Sequence, residues 1–307
     1  MVEISKLEPT LAIVVTFRDE EQFLPILLAS FEGQTEPADE ILLVDDGSVD
    51  RSSEIGEAFS RTRSNVRYLR RQRDAGDQVG RKQERDRLVS APELRSFQWG
   101  VEQLSPGWEI VAKMDGDLEL PPTLFEEVRE AMRADEKLGI VGSYLSVSTP
   151  SGPKREHNPE LHVRGPNKFY RRECLAAISP IPPLLGWDAI DELRARQRGW
   201  RTHPISLKSG DIIHLRPTGS HDGRLRAYWR WGQCAWGYGA HPLAVVAGAA
   251  RRSLQPPYVI SGLCYIAGWA DAGVRRAERV DASTREFARA EDIRRIRAAL
   301  RLQRKLG

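Results

Sequence analysis

Two short apolar runs, Leu11 to Thr16 and Ile41 to Val44, are rich in β-branched residues and give way abruptly to polar ones. Runs of this length without alternation predict strands buried on both faces, the habit of a parallel sheet. Between them Phe23, Leu24, Leu27, Leu28 and Phe31 fall near helical spacing over Glu20 to Glu32. This completes a strand-helix-strand unit with the usual right-handed crossover. The alternation continues with a helix over Asp50 to Ser60, which Asp50 or Ser52 can cap, and a strand over Asn65 to Arg70. Gln72 to Leu94 is strongly charged with little apolar pattern and reads as a mobile loop or exposed helix whose order depends on ligand. Beyond it the pattern predicts a helix over Ser96 to Leu104, a strand over Trp108 to Met114 and an amphipathic helix over Thr123 to Ala134, just after Pro121-Pro122. A strand over Ile140 to Ser148 and a helix over Asp188 to Gly199 follow. Such an order predicts an α/β fold, Rossmann-like, with a mostly parallel central sheet flanked by helices.

In an open α/β sheet, ligands gather beyond the carboxyl ends of the strands. Those ends are acidic here. Asp45 and Asp46 close the second run in Val44-Asp-Asp-Gly-Ser48, and Asp115 and Asp117 close the fourth in Lys113-Met-Asp-Gly-Asp117. Two carboxylates one glycine apart repel each other unless a cation lies between them, and hard oxygen donors suit Mg²⁺ or Mn²⁺, which can also hold a diphosphate. Each motif also has a plain reading as a turn, because Asp and Gly are common turn formers. Position after a buried strand favours the chemical reading for Asp115 and Asp117. Either Asp45 or Asp46 is then suited to accept a hydrogen bond from a nucleobase or ribose. The sequence has neither a Gly-x-Gly-x-x-Gly fingerprint nor a Gly-Lys-Ser/Thr phosphate loop, which argues against a dinucleotide dehydrogenase and a P-loop ATPase.

Taken together, Val15-Thr-Phe-Arg-Asp-Glu-Glu21, Val44-Asp-Asp-Gly-Ser48, Asp115-Gly-Asp117 and Gly186-Trp-Asp-Ala-Ile-Asp-Glu192 resemble, in order and spacing, the inverting family 2 glycosyltransferases with the GT-A fold, over roughly residues 10 to 215. The resemblance implies that Phe17 and Asp19 line a base and ribose pocket, and that Asp46 or Asp45 contacts the base, with Ser48 in the same motif. It implies further that Asp115 and Asp117 bind Mn²⁺ or Mg²⁺ together with the diphosphate of a nucleoside-diphosphate-sugar donor. The catalytic base belongs in the later acidic motif. There Asp188 falls on the second acid of the family's Glu-Asp pair, whose first position is Trp187, and Asp191 is the competitor one helical turn away. Arg95 to Gly100 resembles the family's arginine-to-glycine helix motif, with Gln98 in place of asparagine. Arg164 to Arg171 resembles the stretch beside the donor sugar, where Gly165 permits close approach. His214, after Ile212-Ile213, is the expected histidine on metal or diphosphate, whereas His203 and His221 read as structural or surface residues. Val15 stands where proline is usual and Arg18 where asparagine is usual.

At 307 residues, 40% hydrophobic and 29% charged, the chain suits a GT-A domain over 1-222 and a basic, aromatic-containing helical extension over 223-307. Its net charge of +3 conceals an asymmetry, because residues 224-307 carry sixteen Arg or Lys against six Asp or Glu. Arg224 to Trp231 interleaves arginines with aromatics, and Trp236, Tyr238 and Trp269 follow. The pattern suits attachment to an anionic membrane surface, useful with a polyprenyl-linked acceptor, and equally a helical appendage that packs its aromatics inward. No RRM, KH or zinc motif accompanies it, so nucleic acid is not an expected partner. Cys174, Cys234 and Cys264 make neither a disulfide framework nor a zinc signature. With no signal-like start and no apolar run of about 20 residues, the expectation is a cytoplasmic protein, peripheral on the inner face of the cell membrane. The expected activity moves a sugar from a nucleotide donor to a saccharide or lipid-linked acceptor in polysaccharide or glycoconjugate synthesis. Its rivals are a sugar-1-phosphate nucleotidyltransferase, which would want a Gly-rich basic loop after Val15, and a non-catalytic scaffold of the same fold.

Overall fold

The computed structural model describes residues 9-72, 91-149, 152-156, 158, 161-216 and 223-306. Most of the charged stretch from Gln72 to Leu94 lies outside them, as does His221. The described residues form two compact units, one of 9-72, 92-180 and 198-216, the other of 91, 181-197 and 223-306.

The strands of the first unit are β1 (Leu11–Phe17), β2 (Glu40–Asp45), β3 (Val66–Arg70), β4 (Ile110–Asp115), β5 (Leu118–Glu119), β6 (Leu138–Ser143), β7 (Leu145–Val147), β8 (Lys154–Arg155), β9 (Asn167–Arg171), β10 (Arg201–Ile205) and β11 (Ile212–His214). Seven of them make one sheet in the order β10-β6-β9-β4-β1-β2-β3, in which β9 alone runs antiparallel to its neighbours. Successive strands step outward from β1 to β3, and β4 then returns to the other side of β1. The boundary between β1 and β4 is therefore the switch point of the sheet, where the carboxyl ends leave a crevice.

Alternate residues of β1 face opposite layers. Leu11, Ile13, Val15 and Phe17 join the core with Leu24, Leu27, Leu28 and Phe31 of α1 (Leu24–Glu32) and with α4 (Leu124–Ala134). Phe125 of α4 packs between Phe31 and Phe169, with ring centroids 6.1 and 6.3 Å away. Helix α2 (Ser52–Arg61) follows β2, and Asp50 accepts from the backbone N–H of Ser52, its first residue. The other face of β1 meets α3 (Pro92–Glu102), where a Cβ at Gly100 would stand 2.6 Å from Val14 Cγ1. That contact explains the glycine ending the arginine-to-glycine motif: the helix rests directly on β1 and β2. Phe97 of α3 stacks on Tyr170 at 5.6 Å. Helix α5 (Arg172–Ile178) follows β9.

Several expected elements differ in extent: α3 begins at Pro92, within the charged stretch and four residues before the expected Ser96. The helix expected from Glu20 starts at Leu24, because the Glu20 carbonyl accepts from the N–H groups of Phe23 and Leu24 (3.0 and 2.9 Å) in a preceding turn. The single strand expected over Ile140 to Ser148 is divided at Tyr144. Its first part, β6, lies in the large sheet, and its second, β7, joins a smaller sheet ordered β5-β11-β7-β8.

The second unit is helical: α6 (Trp187–Gln197), α7 (Arg224–Gly237), α8 (Pro242–Arg252), α9 (Tyr258–Val274) and α10 (Ala282–Leu306). Helices α7 and α9 touch backbone to backbone, since a Cβ at Gly232 would fall on the Tyr265 carbonyl oxygen and one at Gly268 on that of Trp229. Arg196 on α6 pairs with Glu291 on α10 at 2.9 Å, and Arg194 with Asp281 at 3.2 Å. Residues 181-197 thus pack with the C-terminal helices by compactness, although they precede residue 223. Among the described residues no helix is long and apolar enough to cross a membrane.

Candidate active site

The end of β2 folds around its own carboxylate. Asp45 Oδ1 accepts from the Ser48 N–H at 2.7 Å, and Oδ2 accepts from the Ser53 hydroxyl at 2.5 Å and the Tyr68 hydroxyl at 2.8 Å. Burial pushes the Asp45 pKa up, but hydrogen bonds from Ser53, Ser48 and Tyr68 outweigh it and hold the group below its ordinary value. Gly47, at φ +82, supplies the left-handed residue that closes the turn. The turn also holds the loop after β1. Ser48 Oγ accepts from the Asp19 N–H at 3.1 Å, and Asp19 Oδ1 accepts from the Val49 N–H at 2.8 Å. Asp46 donates its N–H to the Phe17 carbonyl at 2.9 Å and pairs with Arg71 at 3.0 Å.

The end of β4 has a different character. Lys113, fully buried, forms an ion pair with Asp115, whose N–H donates to the Pro166 carbonyl at 3.1 Å. The turn from Arg164 to Asn167, which contains buried Gly165, is thereby held against the strand end. Two residues on, the Asp117 carbonyl accepts from the Leu215 N–H at 2.9 Å. This contact, with the pairing of β5 and β11, brings His214 Nε2 to 3.6 Å and Arg216 Nε to 4.0 Å from Asp117 Oδ2. His214 Nδ1 lies 4.0 Å from Glu156 Oε2, which is itself paired with Arg164 at 3.0 Å.

Electrostatics confirm how crowded this turn is. Burial raises the Asp115 pKa, Lys113 opposes it and Asp117 adds to it, leaving the group above its ordinary value. Burial also pushes Asp117 up, but His214 and then Arg216 outweigh it and hold the group low. Glu20 is pushed up to about 7, first by burial and then by Asp117, although it is ion-paired with Arg216. A Cβ at Gly116 would stand 2.9 Å from Phe17 Cβ and 3.3 Å from Glu20 Cγ. Phe17, in register with Asp45, therefore lies between the two acidic turns.

Asp115, Asp117 and His214 offer two carboxylates and an imidazole, a donor set that suits Mn²⁺ or Mg²⁺. The fit is one of chemistry, since among the described residues no three such side chains already converge as a cage. Asp115 instead meets Lys113, and Asp117 faces His214 and Arg216. Arg95 is half-buried on α3, one residue before Ser96, which lies 3.5 Å from Arg71. His203 is half-buried on β10.

Asp188 and Asp191 belong to the second unit. Asp188 stands half-buried in the first turn of α6, whereas Asp191 is fully buried and its Oδ1 accepts from the Glu192 N–H at 2.6 Å. Trp187 is buried. Cys234 packs below this turn, and burial, with the Asp188 charge adding, pushes its thiol up to about 12.

Glu20, Lys113, Glu156 and Arg216 were not singled out by sequence. Lys113 had a signal, a lone cation inside an apolar run, and Glu20 lay within the first motif. Arg216 and Glu156 reach the cluster only through strands of two or three residues, too short to read from a pattern.

Residues 12–83 match the family model described as glycosyl transferase family 2. No curated protein matches the chain by sequence. Among solved structures, the mannosyltransferase PcManGT from Pyrobaculum calidifontis, in complex with GDP-Man and Mn²⁺, is similar with a TM-score of 0.54 at 15% identity, covering 97% of this chain and 81% of that one. GalNAc-T7 with UDP, GalNAc and Mn²⁺ gives 0.57 at 13% identity, covering 82% and 52%. TarS 1-349 from S. aureus, in complex with UDP, gives 0.51 at 16% identity, covering 74% and 64%, so the chain spans just under two thirds of that structure. The family match is confined to residues 12–83, and the likeness to these structures shows a GT-A fold.

Proposed function

We propose that the chain is a metal-dependent inverting glycosyltransferase that moves a sugar from a nucleoside-diphosphate-sugar to a saccharide or polyprenyl-linked acceptor, in polysaccharide or glycoconjugate synthesis. The observation that carries this reading is the turn of Asp115, Gly116 and Asp117 at the switch point of the sheet, with His214 delivered to 3.6 Å from Asp117 by a separate strand. Structures that share the fold hold UDP, GDP-Man and Mn²⁺, which supports this class of donor.

In this reading Phe17 and Asp19 border the nucleoside. Asp46 takes the base contact, because both oxygens of Asp45 are engaged by Ser48, Ser53 and Tyr68. Gly165 lies beside the donor sugar, and Arg95 supports the sheet end from α3. Asp115, Asp117 and His214 would hold Mn²⁺ or Mg²⁺, which when bound offsets negative charge on the departing diphosphate. Arg216, next to Asp117, adds a cation on the same side. The acceptor hydroxyl oxygen attacks the anomeric carbon while the nucleoside diphosphate leaves from the opposite face, and a carboxylate takes the hydroxyl proton. Asp188 is that base: it is half-exposed in the first turn of α6. Asp191, fully buried against its own backbone, is a poor competitor.

The test is incubation with UDP-, GDP- and dTDP-sugars and Mn²⁺. Slow release of nucleoside diphosphate, stopped by chelation, supports the reading. Exchange that depends on pyrophosphate would favour nucleotidyl transfer instead, and silence with every donor would contradict the enzymatic reading.

A further inference from the structure

Apart from Leu225 and Trp231 on α7 and Val274 at the far end of α9, the large exposed apolar side chains of the second unit lie on α8, the tip half of α9 and the short connection between them. These helices form an antiparallel hairpin: Gly262 packs against Ala249 and Ser253, while Gly248, one position earlier on α8, meets Tyr265 further along α9. Val245, Ala249, Gly262 and Tyr265 are buried. Other positions point outward at spacings of three and four residues, with Leu243, Val246 and Ala250 on α8 and Val259, Leu263, Ile266 and Ala270 on α9. At the tip stand Leu254, Tyr258 and Ile260, and Leu254, Val259 and Leu263 are 78, 63 and 60% exposed. Single exposed apolar residues need no explanation, but a concentration at the tip of one hairpin does.

Charge selects what covers it. Residues 223-270 contain five arginines and no Asp, Glu or Lys. Arg251 is exposed at the tip end of α8, and Arg252 beside it lies over the rings of Tyr265 (4.2 Å) and Trp231 (5.4 Å). Further cations lie away from the tip, where Arg226 and Arg230 of α7 and Arg275 just after α9 line a cavity of about 440 Å³; its one acid, Asp271, pairs with Arg275 at 2.7 Å. At the opposite end of the hairpin, Asp292 of α10 accepts from the His241 N–H at 2.9 Å. A second copy docking through the same face would bring these arginines together. An anionic lipid surface would neutralise them while the apolar tip reached the acyl boundary.

We infer that the α8-α9 hairpin is a membrane-docking element, which inserts Leu254, Tyr258, Val259 and Leu263 into a bilayer carrying anionic phospholipid. This apolar tip lies outside the Arg224 to Trp231 segment that the sequence singled out, where Arg224, Leu225, Arg226 and Trp231 are exposed. Tyr228 and Arg230 in that segment are buried, and Trp236, just beyond it, packs on Trp269 at 5.8 Å. The inference stands apart from the donor chemistry of the first unit.

The test is flotation of the full chain with vesicles of phosphatidylcholine alone and of phosphatidylcholine with phosphatidylglycerol. The wild type is expected to float with the anionic vesicles and to remain largely unbound with the neutral ones. A variant combining Leu254→Ser, Val259→Ser and Leu263→Ser should lose at least ~10-fold in partitioning, and Arg251→Gln about fivefold. Both should keep the wild-type melting temperature and the wild-type release of nucleoside diphosphate, which separates failure of docking from failure of the enzymatic reading. Equal binding by wild type and triple variant, or no binding by the wild type, would overturn the inference. So would light scattering that showed a wild-type dimer made monomeric by the three serines, since a second copy would then cover this face.

Discussion

Two strand-end turns of the first unit are built from nearly the same residues and neutralise their carboxylates in different ways. At the end of β2, Asp45 is surrounded by donors from Ser48, Ser53 and Tyr68, and its pKa falls despite burial. At the end of β4, Asp115, Asp117 and Glu20 are crowded together with Lys113, His214 and Arg216; Asp115 and Glu20 are pushed up, and Asp117 is held low only by the neighbouring His214 and Arg216. A carboxylate whose lone pairs are filled by its own turn holds the fold. Carboxylates that depend on neighbouring cations for neutralisation are prepared to accept one from outside. An acid-rich turn at a strand end is therefore not yet a site; the donors around it decide.

The contrast breaks most visibly at Asp117. Asp117→Asn should remove the metal-dependent part of donor affinity and lower transfer by ~10²- to 10³-fold, and calorimetry that showed unchanged affinity with Mn²⁺ would remove the metal role. A similar contrast on α6 separates Asp188 from Asp191. Asp188→Asn is expected to preserve donor binding and to reduce kcat by ~10²- to 10⁴-fold, whereas Asp191→Asn should act first on stability; near-normal turnover of the Asp188 variant would move the base to Asp191.

Asp45→Ala sharpens the comparison from the other side. Removing an acceptor that serves three donors should cost about 1–3 kcal/mol in urea denaturation and leave metal-dependent donor affinity within a few-fold. Loss of that affinity at unchanged stability would mean that Asp45, and not Asp46 alone, touches the donor. The two turns should also differ in sign with pH. Asp45, with a depressed folded pKa, contributes stability that is present above its ordinary value of 3.8 and is lost as pH falls through the folded value. Glu20, raised from 4.5 to about 7, binds its proton more tightly in the folded chain, so stability declines as pH rises across that interval. The smallest effect expected is therefore a flatter melting-temperature profile over this interval in Glu20→Gln; an unchanged slope would show that Glu20 is not charge-strained.

Much of the sheet was legible because β1, β2 and β4 are apolar runs buried on both faces, a pattern that needs no partner to be recognised. Strand β9 was not, since Asn167 and Lys168 look like loop residues. Asn167 is buried because its side chain accepts from the Ser143 N–H at 2.7 Å and donates to the Ser143 carbonyl at 3.2 Å, and Lys168 lies across the ladder from buried Lys113. Such burial is set by tertiary neighbours rather than by periodicity. The acidic turns were readable from position after a strand, and His214 through family resemblance. Arg216 was beyond reach, because it meets Glu20 across 196 positions. In the second unit the sequence revealed helices and a basic excess, but which apolar faces turn outward depended on how α7, α8 and α9 pack.

The central claim, that the Asp115 to Asp117 turn holds a sugar nucleotide through a cation, is tested most directly by thermal unfolding of the wild-type chain against a panel of UDP-, GDP- and dTDP-sugars with and without Mn²⁺. A ligand at about a hundredfold excess over its Kd stabilises the folded state by about 3 kcal/mol. At least one donor is expected to raise the melting temperature with Mn²⁺ and to lose that effect on chelation. Identical melting curves with and without Mn²⁺ for every donor would contradict the account.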